Sequence, residues 1–276
     1  MTQHSIIEQI EQFLEEDIGS GDVTAEIIPA AKRAEAEVVT REATVVCGQA
    51  CFDAVFRFLD DGVSIAWNVE EGDKVGKDSV LCRLQGNARA LLTGERTALN
   101  LLQTLSATAT IARRYADAVA GTGCKVLDTR KTIPGLRKLQ KYAVACGGCS
   151  NHRLGLFDAV LIKENHIIAA GSIAKAVAGA REKSSVPVEV EVENLREFEE
   201  ALAAAPDRIM LDNFSLADMR QAVELNAGRV ELEASGNIEL NTIREVAETG
   251  VGFISIGALT KNISAVDLSM RIHLVT

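Results

Sequence analysis

Between Asp128 and His166 the chain reads D-T-R-K-T-I-P-G-L-R-K-L-Q-K-Y-A-V-A-C-G-G-C-S-N-H-R-L-G-L-F-D-A-V-L-I-K-E-N-H, which holds Arg130, Lys131, Arg137, Lys138, Lys141, His152, Arg153 and Lys163. The whole protein of 276 residues nevertheless has a formal net charge of -10. Cations gathered in one window of an acidic chain fit a small, highly charged anionic ligand. They do not fit nucleic acid, which asks for a basic face and a high pI. No serine or cysteine nucleophile with a paired base stands out. His152, between Asn151 and Arg153, suits an anion-binding histidine better than a general base.

A second set is acidic. In V-E-V-E-V-E the side chains of a strand alternate between faces, so Glu189, Glu191 and Glu193 point one way. The valines on the other face suit packing against helices, which turns the acids inward. There, unpaired carboxylates would cost several kcal/mol each to desolvate. Such a row wants cations, a metal or sugar hydroxyls; an edge strand with its acids in water is the plainer alternative. A third set follows the last strand-like runs: Ser235-Gly236-Asn237, and Gly257 to Lys261 in I-G-A-L-T-K. Glycine after a strand lets backbone N–H groups approach an anion, and a following helix adds partial positive charge.

The elements that must position these residues alternate from Lys125 onward. Strand runs are expected at Lys125–Leu127, Ala159–Ile162, Val186–Val192, Arg208–Leu211, Arg229–Leu232 and Gly252–Ile256. Helices are expected near Leu136–Ala145, Ile173–Glu182, Leu195–Ala204, Leu216–Leu225 and Asn241–Thr249. About six βα units fall short of the eight of a regular barrel; an incomplete barrel and an open doubly wound sheet both fit. Almost every strand run ends in a polar cluster, at the end where β/α barrels carry their active sites. Upstream, an amphipathic helix is expected over Ser5–Leu14, followed by a loop, E-E-D-I-G-S-G-D-V-T, that ends in strand-like sequence. Short β-rich runs (Glu37–Thr40, Ser64–Asn68, Val80–Arg83) surround a helical Ala50–Asp60. Asn87–Ala120 reads as a long helix, with a possible interruption near Ser106. The domains are expected at 1–112 and 113–267, with the tail, about 268–276, returning to the first.

Hydrophobic residues make up 47% and charged residues 25%, enough for a sizeable core. No apolar run reaches membrane-spanning length, and the start M-T-Q-H-S lacks the features of a signal peptide. A cytoplasmic protein without membrane partners is expected. The 6 cysteines form no small-scaffold disulfide framework. Cys146 and Cys149 make a C-x-x-C without the second pair that zinc would want, so two packed thiols beside a glycine turn are expected.

The segments E-D-I-G-S-G-D-V-T, G-E-R-T-A-L-N, L-D-T-R-K-T-I-P-G-L-R, N-H-R-L-G-L, L-I-K-E-N-H, V-E-V-E, M-L-D-N-F, E-A-S-G-N-I and I-S-I-G-A-L-T resemble, in order over nearly the whole chain, those of the quinolinate phosphoribosyltransferase family. The resemblance implies an α/β fold: an N-terminal α/β sandwich-like domain, an open, incomplete β/α barrel, and a homodimer with shared active sites. It implies reaction of quinolinate with phosphoribosyl pyrophosphate, with Mg2+, to give nicotinate mononucleotide, pyrophosphate and CO2. By motif, Arg130, His152, Arg153 and Lys163 would hold the quinolinate carboxylates, with Arg96 reaching in from the neighbouring subunit. Lys131 and Lys163 would face pyrophosphate. Glu191 and Asp212 would bind the ribose hydroxyls and steady a cationic transition state; no direct protein ligand to Mg2+ is implied beyond water-mediated contact with these two. Ser235, Gly236, Gly257 and Lys261 would surround the 5-phosphate. Cys149 departs from the family pattern, which has a third glycine there. If that position needs a positive φ, Cys149 is strained. The rival readings are a related transferase for another aromatic acid, a barrel aldolase with Lys163 as Schiff base, and a carrier module suggested by V-E-E-G-D-K-V-G-K-D-S-V-L-C-R-L.

Overall fold

The computed structural model describes residues 3–274, with side chains from residue 9. The chain divides into two compact units, one of Met1–Ile111, Lys138–Gly147 and Ile263–Thr276, the other of Ala112–Arg137 and Gly148–Asn262.

The first unit opens with α1 (Gln3–Ile18), longer at both ends than expected. It continues through β1 (Arg33–Thr40), β2 (Thr44–Val45), α2 (Gln49–Leu59), β3 (Ser64–Trp67), β4 (Lys74–Val75) and β5 (Val80–Asn87) into α3 (Ala88–Ala118). The loop after α1 ends in a 3-10 turn at Ala25–Ile27 rather than a strand. Asp22 accounts for this: it accepts the N–H groups of Thr24 and Ala25 and the Thr93 hydroxyl, which curls the chain. The 31-residue α3 runs through Ser106 without a break. The hydroxyls along it are absorbed, because Ser106 exchanges hydrogen bonds with the Cys47 backbone and Thr108 and Thr110 donate to carbonyls four residues back.

In the second unit β6 (Lys125–Leu127) is followed by α4 (Arg137–Cys146), which from Lys138 groups with the first unit. Then come β7 (Val160–Ile162), α5 (Glu164–Ala170), α6 (Ile173–Lys183), β8 (Val188–Val192), α7 (Leu195–Ala204), β9 (Arg208–Asp212), α8 (Leu216–Asn226), β10 (Glu231–Ser235), α9 (Ile243–Ala247), β11 (Phe253–Ser255) and α10 (Ala258–Lys261). Helix α5 has no counterpart among the expected elements; the His166 ring accepts the Lys163 N–H and closes its first turn. Strand β10 starts two residues later than expected because Asn226 holds Arg229 and Val230 in the turn after α8. The last strand, β12 (Leu268–Leu274), pairs with β1, giving the first unit a sheet ordered β12-β1-β5-β3.

Six parallel strands make the second sheet, ordered β6-β11-β10-β9-β8-β7. Among the described residues β6 and β7, neighbours in sequence, are its two edges and do not pair, so the barrel stays open. The exposed side of β6 is covered instead by a single bridge, Leu127 to Ser150, with Ser150 N–H on the Val126 carbonyl. This explains Cys149-Ser150. The left-handed residue of that loop is Gly148, at φ +95, and Cys149 is not among the residues with positive φ. It is buried without backbone strain, its Sγ 3.1 Å from the Ala112 carbonyl oxygen.

In the first unit, Phe52 packs edge-on to Phe56 and Trp67, and α3 closes over α2 at Gly94. A Cβ at Gly94 would lie 2.9 Å from the Phe56 ring and from Leu59. Helix propensity alone favours alanine there by about 1 kcal/mol, but a displaced aromatic ring in a packed core costs about 1–3 kcal/mol. Gly94→Ala is therefore expected to lower the denaturant midpoint; a raised midpoint would show that propensity wins and the contact is soft.

Candidate active site

The carboxyl ends of the parallel strands surround a cavity of about 400 Å³ lined by Thr129, Arg130 and Lys131 after β6, His152 and Arg153, Lys163 after β7, Glu191 on β8, Asp212 on β9 and Ser235 on β10. Parallel pairing sets this arrangement: Glu191 stands beside Met210, and Asp212 beside Ser235. Of the basic window, Arg130, Lys131, Arg153 and Lys163 reach the cavity. Arg137 is used as a brace, donating to Thr132 Oγ1 and to the carbonyls of Arg130 and Leu154. Lys138 and Lys141 belong to the first unit, where Lys141 is buried. Arg96 lies exposed on α3, also in the first unit.

Strand β8 lies between β7 and β9, so its acids are not on an edge. Glu189 and Glu191 do share the inner face, while Glu193 falls beyond the strand, its N–H on Glu197. Glu191 forms an ion pair with Lys163. Below it Glu189 is buried, and its Oε2 lies 2.9 Å from His152 Nε2; Glu233 Oε2, fully buried, lies 3.4 Å from the same nitrogen. Arg208 completes this layer, 3.1 Å from Glu233 and 2.8 Å from Glu231, with its guanidinium 4.0 Å above the Phe253 ring. Asp128, fully buried, holds the loop opposite by accepting the Asn151 amide at 2.6 Å and the His152 N–H at 2.8 Å.

Burial alone would push the His152 imidazole down, but the carboxylates of Glu189 and Glu233 beside Nε2 outweigh it and lift the pKa from 6.5 to about 9. The Arg153 N–H, 2.8 Å from Nδ1, works the other way by favouring the neutral ring. Charge-assisted bonds are worth about twice a neutral one, so the carboxylates favour the imidazolium, and forming it requires Nδ1 to give up the Arg153 N–H. Of the coupled pair, Glu189 is pushed up by burial, whereas His152, Ser255 and Arg208 overcome burial at Glu233 and pull it down. Burial and the neighbouring Arg130 hold Arg153 below its ordinary value. Two guanidiniums lining one cavity near each other suit a carboxylate or phosphate, which each can grip with two N–H groups. His152, Glu189 and Glu233 also offer ligand atoms within 4.8 Å of one another. Arg208 already neutralises Glu233, so this set is built as a salt-bridge layer rather than a metal centre.

Two glycines shape the rim. Gly236 follows β10 at φ +94, and a Cβ there would lie 2.3 Å from Asn213 Oδ1 and 2.8 Å from Asn213 N. Asn213 is itself left-handed at φ +56, a conformation asparagine tolerates. It donates its N–H to the Ser235 carbonyl, its amide to Asp212, and accepts from Asn237. At Gly257 a Cβ would come within 3.0 Å of Lys131 Cδ, so the absent side chain leaves the lysine its path. Thr129 accepts the Lys131 N–H and Thr260 donates to its carbonyl, which fixes the lysine at both backbone ends. Lys261 ends α10, exposed and outside the cavity lining. Of the supporting residues Arg208 carried no distinctive signal in the sequence, whereas Asp128, Glu189 and Glu233 stand in the polar clusters of their strands, without any sign of their structural role.

Comparison with known proteins bears on the family and the fold. The family models for the N-terminal and C-terminal domains of quinolinate phosphoribosyl transferase match residues 22–106 and 108–271. A probable nicotinate-nucleotide pyrophosphorylase (carboxylating) of Bacillus subtilis is 41% identical over 96% of this chain and 92% of its own. One of Synechocystis is 43% identical over 95% and 91%. The solved nicotinate-nucleotide pyrophosphorylase of Francisella tularensis superposes with a TM-score of 0.95 at 47% identity, covering 99% of this chain and 98% of that one. Matched by both domain models in order and by relatives along almost their full length, the chain belongs to the quinolinate phosphoribosyl transferase family.

Proposed function

We propose that this chain transfers the phosphoribosyl group of phosphoribosyl pyrophosphate to quinolinate and decarboxylates the product to nicotinate mononucleotide, a step of NAD biosynthesis. The observation that carries the reading is the convergence of Arg130, Lys131, Arg153 and Lys163 with the carboxylates Glu191 and Asp212 on one cavity, in a chain of this family. Arg130, Arg153 and Lys163 hold the two carboxylates of quinolinate. His152, whose ring nitrogens already face Glu189, Glu233 and the Arg153 N–H, supports Arg153 from beneath instead of holding a carboxylate itself. Lys131 and Lys163 hold pyrophosphate. Ser235, Gly236, Gly257 and Lys261 receive the 5-phosphate.

As the bond from the anomeric carbon to pyrophosphate breaks, positive charge grows on the ribose, and Glu191 and Asp212 are already oriented beside it. Holding the ring nitrogen near that carbon removes entropy worth up to about 7–11 kcal/mol of barrier. Once the nitrogen is quaternary, the adjacent carbon can keep the electron pair that departing CO2 leaves behind, and a proton replaces the carboxylate. The substrate is its own electron sink. Mg2+ is proposed to enter with pyrophosphate: Glu191 and Asp212 are oxygen donors, the type this hard cation prefers, and through water they would hold it while it neutralises the leaving group's charge. A homodimer, in which Arg96 completes the neighbouring subunit's pocket, is also proposed. Leu156 and Phe157, 77% and 73% exposed, offer apolar surface that a second subunit would cover. No described helix is long and apolar enough to cross a membrane, and a cytoplasmic location is proposed with the rest.

Incubation with Mg2+, phosphoribosyl pyrophosphate and quinolinate labelled at the 2-carboxylate tests the function. Equal amounts of labelled CO2 and nicotinate mononucleotide, dependent on both substrates, are expected; no release from folded protein would redirect the search to other aromatic acids. Lys131→Ala should lower turnover by about 100-fold or more with the fold intact, and a near-wild-type rate at saturation would remove its role. Arg96→Ala and Lys163→Ala chains, each inactive, should regain partial activity when mixed; none despite proven subunit exchange would count against a shared site. Because the folded pKa of His152 lies above its ordinary 6.5, its stabilisation is fully present below that pH and lost as pH rises through about 9. The thermal midpoint should decline across this window in the wild type and not in His152→Asn; parallel profiles would rule out a charged imidazole.

A further inference from the structure

The first unit holds a cluster of acidic groups that phosphoribosyl transfer does not use. Cys47 precedes α2, Glu71 lies between β3 and β4, and Cys146 ends α4. Each offers one ligand atom, two sulfurs and a carboxylate oxygen, and the three lie within 4.8 Å of one another. Cys47 is fully buried, while Glu71 and Cys146 are partly accessible. The donors are fixed by the backbone and by side chains. Ser106 Oγ accepts the Cys47 N–H at 3.0 Å and donates to its carbonyl at 3.2 Å. Glu71 Oε1 accepts the Gly48 N–H at 2.7 Å and the Tyr142 hydroxyl at 3.0 Å, and Oε2 accepts the Gln49 N–H at 3.1 Å. Gly72, at φ +91, brings the chain against the third donor: a Cβ there would stand 3.5 Å from Cys146 Sγ.

We propose that Cys47, Cys146 and Glu71 form a binding site for one thiophilic divalent cation of the zinc type, with solvent in the fourth position. A tetrahedral centre with metal–sulfur bonds of about 2.3 Å sets its sulfurs about 3.8 Å apart, inside the 4.8 Å within which these ligand atoms lie. Two sulfurs and a carboxylate oxygen select a borderline-soft metal over Mg2+ or Ca2+. Without a cation, two thiols and a carboxylate this close favour the protonated thiols. A divalent cation reverses that pressure, because coordinated thiols lose their protons outright. A redox pair is the other use of adjacent thiols, but a carboxylate beside them suppresses the thiolate that exchange requires; for a cation it is a ligand. The C-x-x-C of the sequence is therefore not the chelating pair: Cys146 joins Cys47, and Cys149 is absent from the cluster.

The test is titration of the reduced, metal-stripped full chain with Co2+, without substrates. A near-ultraviolet thiolate-to-cobalt band should saturate at a single equivalent, release protons and disappear when Zn2+ is added. It should be lost in Cys146→Ala and in Cys47→Ala, weaken in Glu71→Gln and be unchanged in Cys149→Ala. Cys146 is only partly buried, so its variant keeps the test meaningful if Cys47→Ala fails to fold, with circular dichroism checking both. The proposal is overturned by a wild-type chain with reduced thiols that gives no band. It is equally overturned by a band that survives Cys146→Ala, or by a mass loss of two hydrogens marking a Cys47–Cys146 disulfide in place of metal uptake.

Discussion

Two carboxylates buried inside a parallel sheet have to be neutralised, and the way this happens organises the mouth above them. Glu189 and Glu233 stand on neighbouring inner positions of β8 and β10, flanking β9, where an unpaired charge would cost several kcal/mol. Arg208 and His152 supply the compensation, one from β9 and one from the loop after Gly148. The histidine can reach them only because Asp128, at the end of β6, grips its N–H and the adjacent Asn151. The loop that carries Arg153 is thereby fixed from beneath. The position of this loop at the cavity follows from a charge balance one layer lower, whereas Lys163 is met within the cavity itself, by Glu191.

The openness of the sheet belongs to the same account. The segment between β6 and β7 is shared out, since α4 groups with the first unit from Lys138 onward. What covers β6 is the 149–151 segment, and that segment leads directly into His152. The break in the barrel and the cationic loop are one feature of the chain's path.

Much of this was legible in the sequence because it depends on period and punctuation. The alternation in V-E-V-E put Glu189 and Glu191 on one face, and the polar clusters after each apolar run marked the carboxyl ends of the strands. Six units instead of eight left an incomplete barrel or an open doubly wound sheet, and the family resemblance favoured the former. What could not be read depended on partners distant in sequence. Nothing in R-K-L-Q-K distinguishes Arg137, a brace for three loop groups, from Arg130 at the cavity. Nothing near Ser106 says that its hydroxyl is met by Cys47, which keeps α3 intact. The left-handed turn could have been at Gly148 or Cys149, and only the bridge from Leu127 to Ser150 decides.

The crossing of Asn213 with Gly236 has a consequence for how the rim can vary. The asparagine side chain occupies the space that the glycine leaves, and its own N–H, amide and carbonyl tie the β9 and β10 loops together. A side chain at 236 cannot be accommodated while Asn213 stays, and a different residue at 213 leaves a gap and frees Asp212 from its amide. Positions 213 and 236 thus form a single unit of mutational change. Libraries that randomise one loop alone will return mostly unfolded or mispositioned rims, whereas pairwise randomisation samples alternatives that single steps cannot reach.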